Sequence, residues 1–356
     1  MKLLLVLQII FITFPLLSQN TVCLEIEENP NINQMEFSEF SKYIQVLDCF
    51  SIYAEASISD EKVLHAAAIC AELLDNNEDG LVDDQEVKSR LINQNALIPI
   101  FKYEGSYAEE LFFDYYDGQG VSAVLYKNEI NPNQPGYWGE DASVEEIIHT
   151  INYVGHTYIY PDAFSLSPNS SLLSSAMDLA RAGQFLNVPN SYPPSAWYHY
   201  DDYTCDYECM AIEYLYWGIV TQMGILNNPQ TCMGISNEWE LCSLELLESI
   251  DPNINSLITD SLYKLPLKAP DGNYCPNGLG TENYDSSESM IYPNPCGSFF
   301  QYTCLDKQQV WLMDARGNLL LKKIADKGVN KIDCTFLDGG FYFFKTNQGY
   351  TPIVIE

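Results

Sequence analysis

Hydrophobic residues recur at helical spacing through most of the first 268 residues. Apolar side chains three and four positions apart, with polar residues between them, predict amphipathic helices. The segments with this pattern are 58–97, 141–154, 171–186, 203–224 and 239–265. Only two short apolar runs, 98–103 and 121–126, predict strands. We therefore expect a mainly α working domain over residues 24–268, with Pro- and Asn-rich loops between its helices.

The pattern changes towards the carboxyl end of the chain. Residues 269–289 are rich in Gly, Asn, Ser and Asp, which is the composition of a linker. Beyond them, short segments of alternating apolar residues are separated by two turn sequences, RGN at 316–318 and DGG at 338–340. Such spacing is typical of β-hairpins. The sequence predicts a small antiparallel, immunoglobulin-like β-sandwich over residues 290–356.

Three motifs in this last region occur together in a known family. They are YPNP at 292–295, the strand–turn–strand segment MDARGNLL at 313–320, and Leu337 followed by GGFY at 339–342. The region thereby resembles the type A C-terminal sorting domain of proteins exported by the type IX secretion system of Bacteroidota. The terminal Ile355-Glu356 departs from the basic ending that is usual in that family. The resemblance implies that the type IX machinery is a partner and carries the protein across the outer membrane. It also implies removal of the domain, with release or surface attachment of the protein.

The amino-terminal segment predicts export as well. Met1 and Lys2 precede an apolar run that closes at Leu17, and the small residue Ser18 follows. A short basic start, an apolar core and a small residue are the features of a secretory signal peptide, which we assign to residues 1–18. No other apolar run in the sequence is long enough to span a membrane. We expect a secreted or cell-surface protein that passes through the periplasm and keeps no stable membrane span after cleavage.

The chain is strongly acidic and rich in cysteine. Its 356 residues include 49 Asp and Glu against 17 Lys and Arg, a net charge of -32. Nucleic acid is excluded as a partner, because binding to phosphates requires Lys and Arg that displace counterions.

Eleven Cys indicate an oxidising compartment. Eight of them lie within residues 19–285 and permit four disulfides, whose pairing the sequence leaves open. The spacing of Cys205 with Cys209, and of Cys232 with Cys242, favours disulfides over a metal site.

Oxygen-bearing side chains recur at alternate positions in residues 75–86, which read DNNEDGLVDDQE. Asp, Asn and Asp occupy positions 1, 3 and 5 of this segment, and Gly occupies the sharp turn at position 6. This spacing lets a loop wrap a hard cation in about seven oxygen ligands. The segment resembles an EF-hand loop. The resemblance implies that calcium is held by Asp75, Asn77, Asp79, the Leu81 carbonyl, Asp83 and Glu86.

Helical patterns on both sides extend the predicted EF-hand to about residues 62–97. The sequence contains no second loop of this spacing, whereas EF-hands that act as sensors normally come in pairs. A lone hand in a calcium-rich exterior serves more often as a structural clip of modest affinity. We expect bound calcium to stabilise the fold by mass action.

One further segment carries candidates for catalysis. Glu145 and Glu146 lie four and three residues before His149, so a helix places all three on one face. A Glu-x-x-His pair can hold a transition metal, and a carboxylate beside an imidazole can also fix its tautomer. His156 lies two turns further on, about 10.5 Å along a continuous helix. It can therefore join such a site only if the helix ends near Gly155.

Glu213, in the aromatic-rich fourth predicted helix, is a candidate third metal ligand. His149, Glu213 and one of Glu146 or His156 would then form a zinc site with one position open for an activated water. His149, Glu146 and Glu213 are the candidate catalytic residues. The alternative is a core histidine that is satisfied by Glu145. The working domain contains no HExxH, G-x-S-x-G or nucleotide-binding motif.

Two classes of function remain open, and with them the question of whether the protein is an enzyme. The first is a secreted calcium-binding protein with a structural EF-hand and no chemistry. The second is a secreted, calcium-stabilised, metal-dependent hydrolase centred on His149, with peptides among its candidate substrates. The second requires His149 and Glu213 to converge within a few Å at the base of an open cleft, whereas the first leaves them apart or fully enclosed. In either class, aromatic side chains could form the core or line a groove for a peptide or glycan. They are Tyr153, Tyr158, Tyr160, Trp197, Tyr198 and Tyr200.

Overall fold

The computed structural model describes residues 24–136, 139–275, 291–304, 307–314, 318–346 and 349–355. The chain divides into two compact units, Met1–Leu279 and Gly280–Glu356. The predicted signal peptide and residues 276–289 of the predicted linker lie outside the described residues.

The first unit contains a five-stranded mixed sheet in which the strands follow chain order. The first three strands pair antiparallel, whereas the third, fourth and fifth pair parallel. The strands are β1 (Glu27–Glu28), β2 (Phe40–Val46), β3 (Phe50–Glu55), β4 (Leu97–Phe101) and β5 (Leu125–Tyr126).

Helices make up most of the rest of this unit. Each of the five predicted helical segments contains helix, although the observed helices are shorter. A π-helical turn, Asn152–His156, follows the fourth helix, and 3-10 turns cover Met35–Phe37 and Lys127–Glu129. The α-helices are α1 (Asp60–Leu74), α2 (Gln85–Gln94), α3 (Tyr107–Tyr115), α4 (Ser143–Ile151), α5 (Thr157–Ile159), α6 (Pro161–Phe164), α7 (Leu172–Ala180), α8 (Tyr207–Gln222), α9 (Pro229–Gly234), α10 (Leu244–Ile250) and α11 (Pro252–Ile258).

Both faces of the sheet are buried, because side chains alternate between two hydrophobic clusters. On β4, Ile98 and Ile100 belong to the main core, which also contains residues of α1, α4 and α8. Leu97 and Phe101 on the same strand face a smaller cluster that includes Phe112 of α3. The sheet therefore separates α3 from the main helical core.

The prediction of a mainly α working domain was incomplete, because this unit combines its helices with a mixed sheet. The predicted strands at 98–103 and 121–126 correspond to β4 and β5, but β2 and β3 were not predicted. β3 is buried along most of its length and so lacks the alternation of apolar and polar residues that marks a half-exposed strand. β2 exposes Ser41 and Gln45, but its apolar residues, at positions 40, 43, 44 and 46, do not alternate regularly either. The turn between β2 and β3 also lacks the sequence pattern that usually predicts a hairpin. Leu47 and Asp48 adopt φ of 46° and 60° there, in place of the Gly or Asn that usually indicates such a hairpin.

The helix pair α1–α2 forms the connection between the parallel strands β3 and β4. Parallel neighbours require a crossover of a dozen or more residues, and here the crossover contains the predicted calcium loop. Helix α1 contacts β2 and β3, while α4 contacts both α1 and α8. The loop at the end of α1 and the candidate residues on α4 and α8 are thus held by the same core.

The second unit consists of antiparallel strands in two sheets. One sheet has the order β11-β10-β7-β8 and the other pairs β6 with β9. The predicted β-sandwich agrees with this arrangement. Residues 316 and 317 of the first predicted turn lie outside the described residues, whereas DGG at 338–340 connects two strands of different sheets rather than a hairpin. The strands are β6 (Phe299–Cys304), β7 (Gln308–Asp314), β8 (Leu319–Ala325), β9 (Gly328–Asp333), β10 (Gly340–Thr346) and β11 (Gly349–Ile355).

Disulfides join Cys205 to Cys209 and Cys232 to Cys242, the two pairs that the spacing favoured. Cys275 is also disulfide-bonded. Cys49 and Cys70 are buried free thiols in the main core.

Candidate calcium loop and histidine–glutamate site

Residues 75–84 connect two helices, and residues 85 and 86, the last two of the predicted calcium loop, begin the second of these helices. Helix α1 ends at Leu74, and Asp75 follows it as the C-cap. Helix α2 begins at Gln85 after Asp84, whose carboxylate accepts hydrogen bonds from the N–H groups of Glu86 and Val87. The helix that leaves the loop is therefore capped by a residue inside the loop.

Asp75, at position 1, is fully buried. Its Oδ1 accepts a hydrogen bond from the N–H of Asp79 at 3.1 Å, and its Oδ2 accepts one from the N–H of Gly80 at 2.7 Å. Gly80 has a φ of 90°, in the left-handed region that favours glycine, which fits the sharp turn expected at position 6. Two backbone donors thus fix a buried carboxylate at the start of the loop.

The other predicted ligands lie close to Asp75 but form hydrogen bonds within the loop. Asp83 accepts the side-chain amide of Asn77 at 3.0 Å through Oδ1, and Asp79 accepts the N–H of Leu81 at 2.9 Å. Burial raises the pKa of Asp83, a hydrogen bond from a backbone N–H opposes this, and the carboxylates of Asp75 and Asp79 raise it further. Carboxylates at positions 1, 5 and 9 are therefore near enough to repel, which suits a site for a cation.

Glu86, the predicted bidentate ligand at position 12, is exposed at the start of α2. Among the residues that the structure describes, no three His, Cys, Asp or Glu side chains are arranged to hold one metal ion. The donor types, carboxylate, amide and carbonyl oxygens, are those that calcium prefers. Coordination would require Glu86 to turn inward and the Asn77 amide to present its oxygen, and the oxygen and nitrogen of an amide are interchangeable by a simple flip.

Residues that were assigned to a linker also contribute to this region. The backbone at Asp271–Asn273 and the side chain of Tyr274 form hydrogen bonds with the end of α1 and with Asp75. These residues were not predicted, because Gly- and Asn-rich composition is shared by linkers and by ordered loops held through their backbone.

His149 and Glu213 converge, which is one of the two conditions of the zinc hypothesis, whereas the buried position of His149 does not show the open cleft that is the other. His149 is 6% exposed on α4, and its Nε2 lies 3.3 Å from Oε2 of Glu213 on α8. Its Nδ1 lies 4.0 Å from Oε2 of Glu146. The ring also meets that of Tyr216 edge-on, with 5.3 Å between centroids. Burial lowers the pKa of His149, but Glu213 and Glu146 outweigh burial and hold the pKa well above its ordinary value.

Further carboxylates surround this pair. Burial raises the pKa of Glu145 to about 8, and the neighbouring charges of Glu146 and Glu213 add to the shift. Burial also raises the pKa of Glu238 to about 7, with contributions from Asp201 and Glu213. Weakly solvated acids around one imidazole can carry protons near neutral pH or can hold a cation.

His156 lies among different neighbours. The helix does not end at Gly155 but continues through the π-helical turn into α5. Nε2 of His156 lies 3.2 Å from the carbonyl oxygen of Tyr263, and its ring packs against those of Tyr160 and Phe164. Burial lowers its pKa to about 4, so it is neutral at physiological pH.

The aromatic side chains divide between core and surface. Tyr198 is fully buried, whereas Tyr158 is exposed. Tyr200 lines a cavity of about 390 Å³ together with Tyr192 and Tyr203. A second cavity, of about 650 Å³, is lined partly by residues of β2 and β3. Neither of these two cavities is lined by His149 or Glu213.

Comparison with known proteins identifies the second unit by class. Residues 290–355 match the family model of the secretion system C-terminal sorting domain. The prediction of a type IX sorting domain is thereby confirmed for that stretch, and it indicates a protein that is exported through the type IX machinery. No curated protein matches the chain. Within the described residues, no helix is long and apolar enough to cross a membrane.

Proposed function

We propose that the protein is an exported calcium-binding protein whose EF-hand stabilises the working domain. The observation that carries this proposal is the buried Asp75, which two loop N–H groups hold beside Asp79 and Asp83 in a loop of EF-hand spacing. Asp75, Asn77, Asp79, the Leu81 carbonyl, Asp83 and Glu86 would hold the ion, and oxygen ligands of this kind suit a hard cation.

The position of the loop supports a structural role. The loop lies in the crossover between β3 and β4, so closing it around an ion would fix α1 relative to α2 within the main core. Calcium at 100 times its dissociation constant would stabilise the folded state by about 2.7 kcal/mol. Calcium would act here without taking part in a reaction.

The test is a calcium titration of the mature full-length chain, by calorimetry and by thermal unfolding with and without chelator. We expect one calcium ion per chain and a higher melting temperature in calcium. Glu86→Gln should lose most of the calcium-dependent stabilisation, whereas Glu61→Gln, an exposed acid on the same helix pair, should retain it. Equal melting temperatures for the parent chain in calcium and in chelator would reject the proposal.

A metal-dependent hydrolase is the second candidate, because Nε2 of His149 and Oε2 of Glu213 lie 3.3 Å apart. His149 and Glu213 would hold zinc, with Glu146 as the nearest further carboxylate. Zinc in such a site supplies an activated water for hydrolysis. The partial exposure of Glu146 gives the site access to solvent. Metal content is the decisive measurement.

A further inference from the structure

Residues 267–274, here called the strap, lie along the end of α1 and the calcium loop. The strap is the last described part of the first unit before Cys275. It makes three separate sets of polar contacts with residues 72–78, which lie about 190 to 200 positions earlier in the chain. None of these contacts was expected from a linker.

The first contact set is a buried carboxylate that binds backbone N–H groups. Glu72 on α1 is 3% exposed. It accepts hydrogen bonds from Asp271 at 2.5 Å, Gly272 at 3.2 Å and Asn273 at 2.9 Å. Hydrogen bonds to an ionised acceptor are stronger than neutral ones. Glu72 therefore anchors three consecutive residues of the strap one turn before the loop begins.

The second contact set involves the loop itself. The side-chain oxygen of Asn76 accepts the N–H groups of Leu267 and Lys268, at 3.0 and 2.9 Å, and its amide donates to the Lys268 carbonyl at 2.9 Å. The Lys268 ammonium lies 2.7 Å from Glu78. Asn76 and Glu78 occupy positions 2 and 4, between the predicted ligands at positions 1, 3 and 5.

The third contact reaches a predicted ligand directly. The Tyr274 hydroxyl donates to Oδ2 of Asp75 at 2.6 Å, and Tyr274 is 5% exposed. That oxygen also accepts the Gly80 N–H, so the strap and the loop turn share one carboxylate oxygen. Gly272 permits this close approach. It has a φ of 78°, and a Cβ there would lie 2.7 Å from Nδ1 of His65 on α1.

We infer that the strap is part of the calcium site and that Tyr274 is a positioning residue for the ligand Asp75. This inference rests on the proposed calcium function. A docked strap holds the Asp75 carboxylate and the loop backbone in one arrangement, so calcium binding and strap docking favour each other. Such coupling is reciprocal: the factor by which docking strengthens calcium binding equals the factor by which calcium strengthens docking. Calcium in the exterior thereby orders the end of the working domain that precedes the sorting domain.

The test uses three variants of the mature full-length chain. Tyr274→Phe removes the hydroxyl that reaches Asp75, and Glu72→Gln weakens the anchor without touching a predicted ligand. Tyr263→Phe is the matched control, because that ring packs against Tyr160 and Phe164. Calorimetry should show calcium binding weakened roughly 10-fold by each of the first two changes. The control should bind calcium like the parent.

Hydrogen exchange supplies the second measurement. Calcium should slow exchange of the Asp271–Asn273 amides in the parent chain, and this slowing should be smaller in Glu72→Gln. If the parent binds calcium but Tyr274→Phe and Glu72→Gln bind it equally well or better, the inference is wrong while the proposed function stands. If calcium leaves exchange of these amides unchanged in a calcium-binding parent, the coupling is rejected. If the parent binds no calcium, the inference and the proposed function are both wrong.

Discussion

Nε2 of His149 lies 3.3 Å from Oε2 of Glu213, yet the two atoms do not form a hydrogen bond of acceptable geometry. A neutral imidazole nitrogen with its lone pair towards a carboxylate would be repelled. The contact is favourable if the ring is protonated, or if a cation lies between the two atoms. Because Glu213 and Glu146 hold the pKa of His149 well above its ordinary value, an ion pair with Glu213 accounts for the contact, and metal content distinguishes this pair from a site in which the two side chains would hold a cation.

If the second candidate function holds, the purified mature chain contains one zinc ion and His149→Gln loses it. The imidazole is the only nitrogen donor among the candidate ligands of this cluster, and removing it leaves carboxylates that bind zinc more weakly. Elemental mass spectrometry of protein dialysed against dilute zinc measures the content. His199→Gln is the control, because Nε2 of His199 lies 2.9 Å from the Ala196 carbonyl, outside the cluster. Zinc absent from the parent, with calcium retained, would end the hydrolase hypothesis.

A second prediction concerns stability in mild acid. Burial lowers the pKa of His156 to about 4, so this ring binds a proton less readily in the folded than in the unfolded chain, where its pKa is about 6.5. The stabilisation that comes from keeping this ring neutral is complete above about pH 6.5 and is lost as the pH falls towards 4. Over this whole pH range, the shift in pKa lowers the free energy of unfolding by about 3 kcal/mol. His156→Gln should therefore show a smaller loss of unfolding free energy between pH 7 and pH 4.5. Urea titrations at both pH values measure the free energy of unfolding. Equal losses in the parent and in His156→Gln would contradict the lowered pKa of His156.

The parts of the structure that could be predicted are those that depend on local spacing. The ligand pattern of the calcium loop and the helices around it follow from residues within one short segment. The approach of Glu213 to His149 was a hypothesis drawn from the acid and base side chains of two predicted helices, and the sequence could not fix it, because α8 is buried on most of its surface and has no single buried face. The strap could not be predicted, because Asn76 and Lys268 are 192 residues apart and the contacts to Glu72 use backbone N–H groups. Backbone donors are the same for every residue except proline, so no side-chain pattern reveals them.

The position of His156 shows another limit. A regular helix would have placed it on the face of His149, two turns away. The π-helical turn at Asn152–His156 adds a residue to one turn and so rotates the side chains that follow. His156 consequently packs against Phe164 and bonds the Tyr263 carbonyl. The sequence left open whether the helix ends at Gly155, whereas in the structure the helix continues and Gly155 packs closely against Val87.

We predict that Gly155→Ala destabilises the first unit. A Cβ at this position would lie 2.8 Å from Cγ1 of Val87 and 3.7 Å from Cδ2 of Leu91 on α2. Overpacking of this kind costs about 1–3 kcal/mol, while the helix propensity of Ala returns about 1 kcal/mol. The net loss should be about 1 kcal/mol in a urea titration followed by far-ultraviolet circular dichroism. Gly297→Ala, where no atom lies within 4 Å of the added methyl, should have no such effect. A Gly155→Ala protein as stable as its parent would show that α2 moves at little cost to make room for the added methyl group.

The last prediction concerns Cys49 and Cys70, the two cysteines of the main core that are free thiols. Burial raises the pKa of Cys49 to about 12 and holds that of Cys70 well above its ordinary value. Because the thiolate is the form that reacts, both should resist iodoacetamide at pH 8 in the folded protein and react in denaturant without reductant. Peptide mapping by mass spectrometry distinguishes them from the disulfide-bonded Cys205 and Cys209, which should stay unlabelled in both conditions. Labelling of Cys49 in the native protein would show that this part of the core opens, and failure to label either residue in denaturant would show that they form a disulfide.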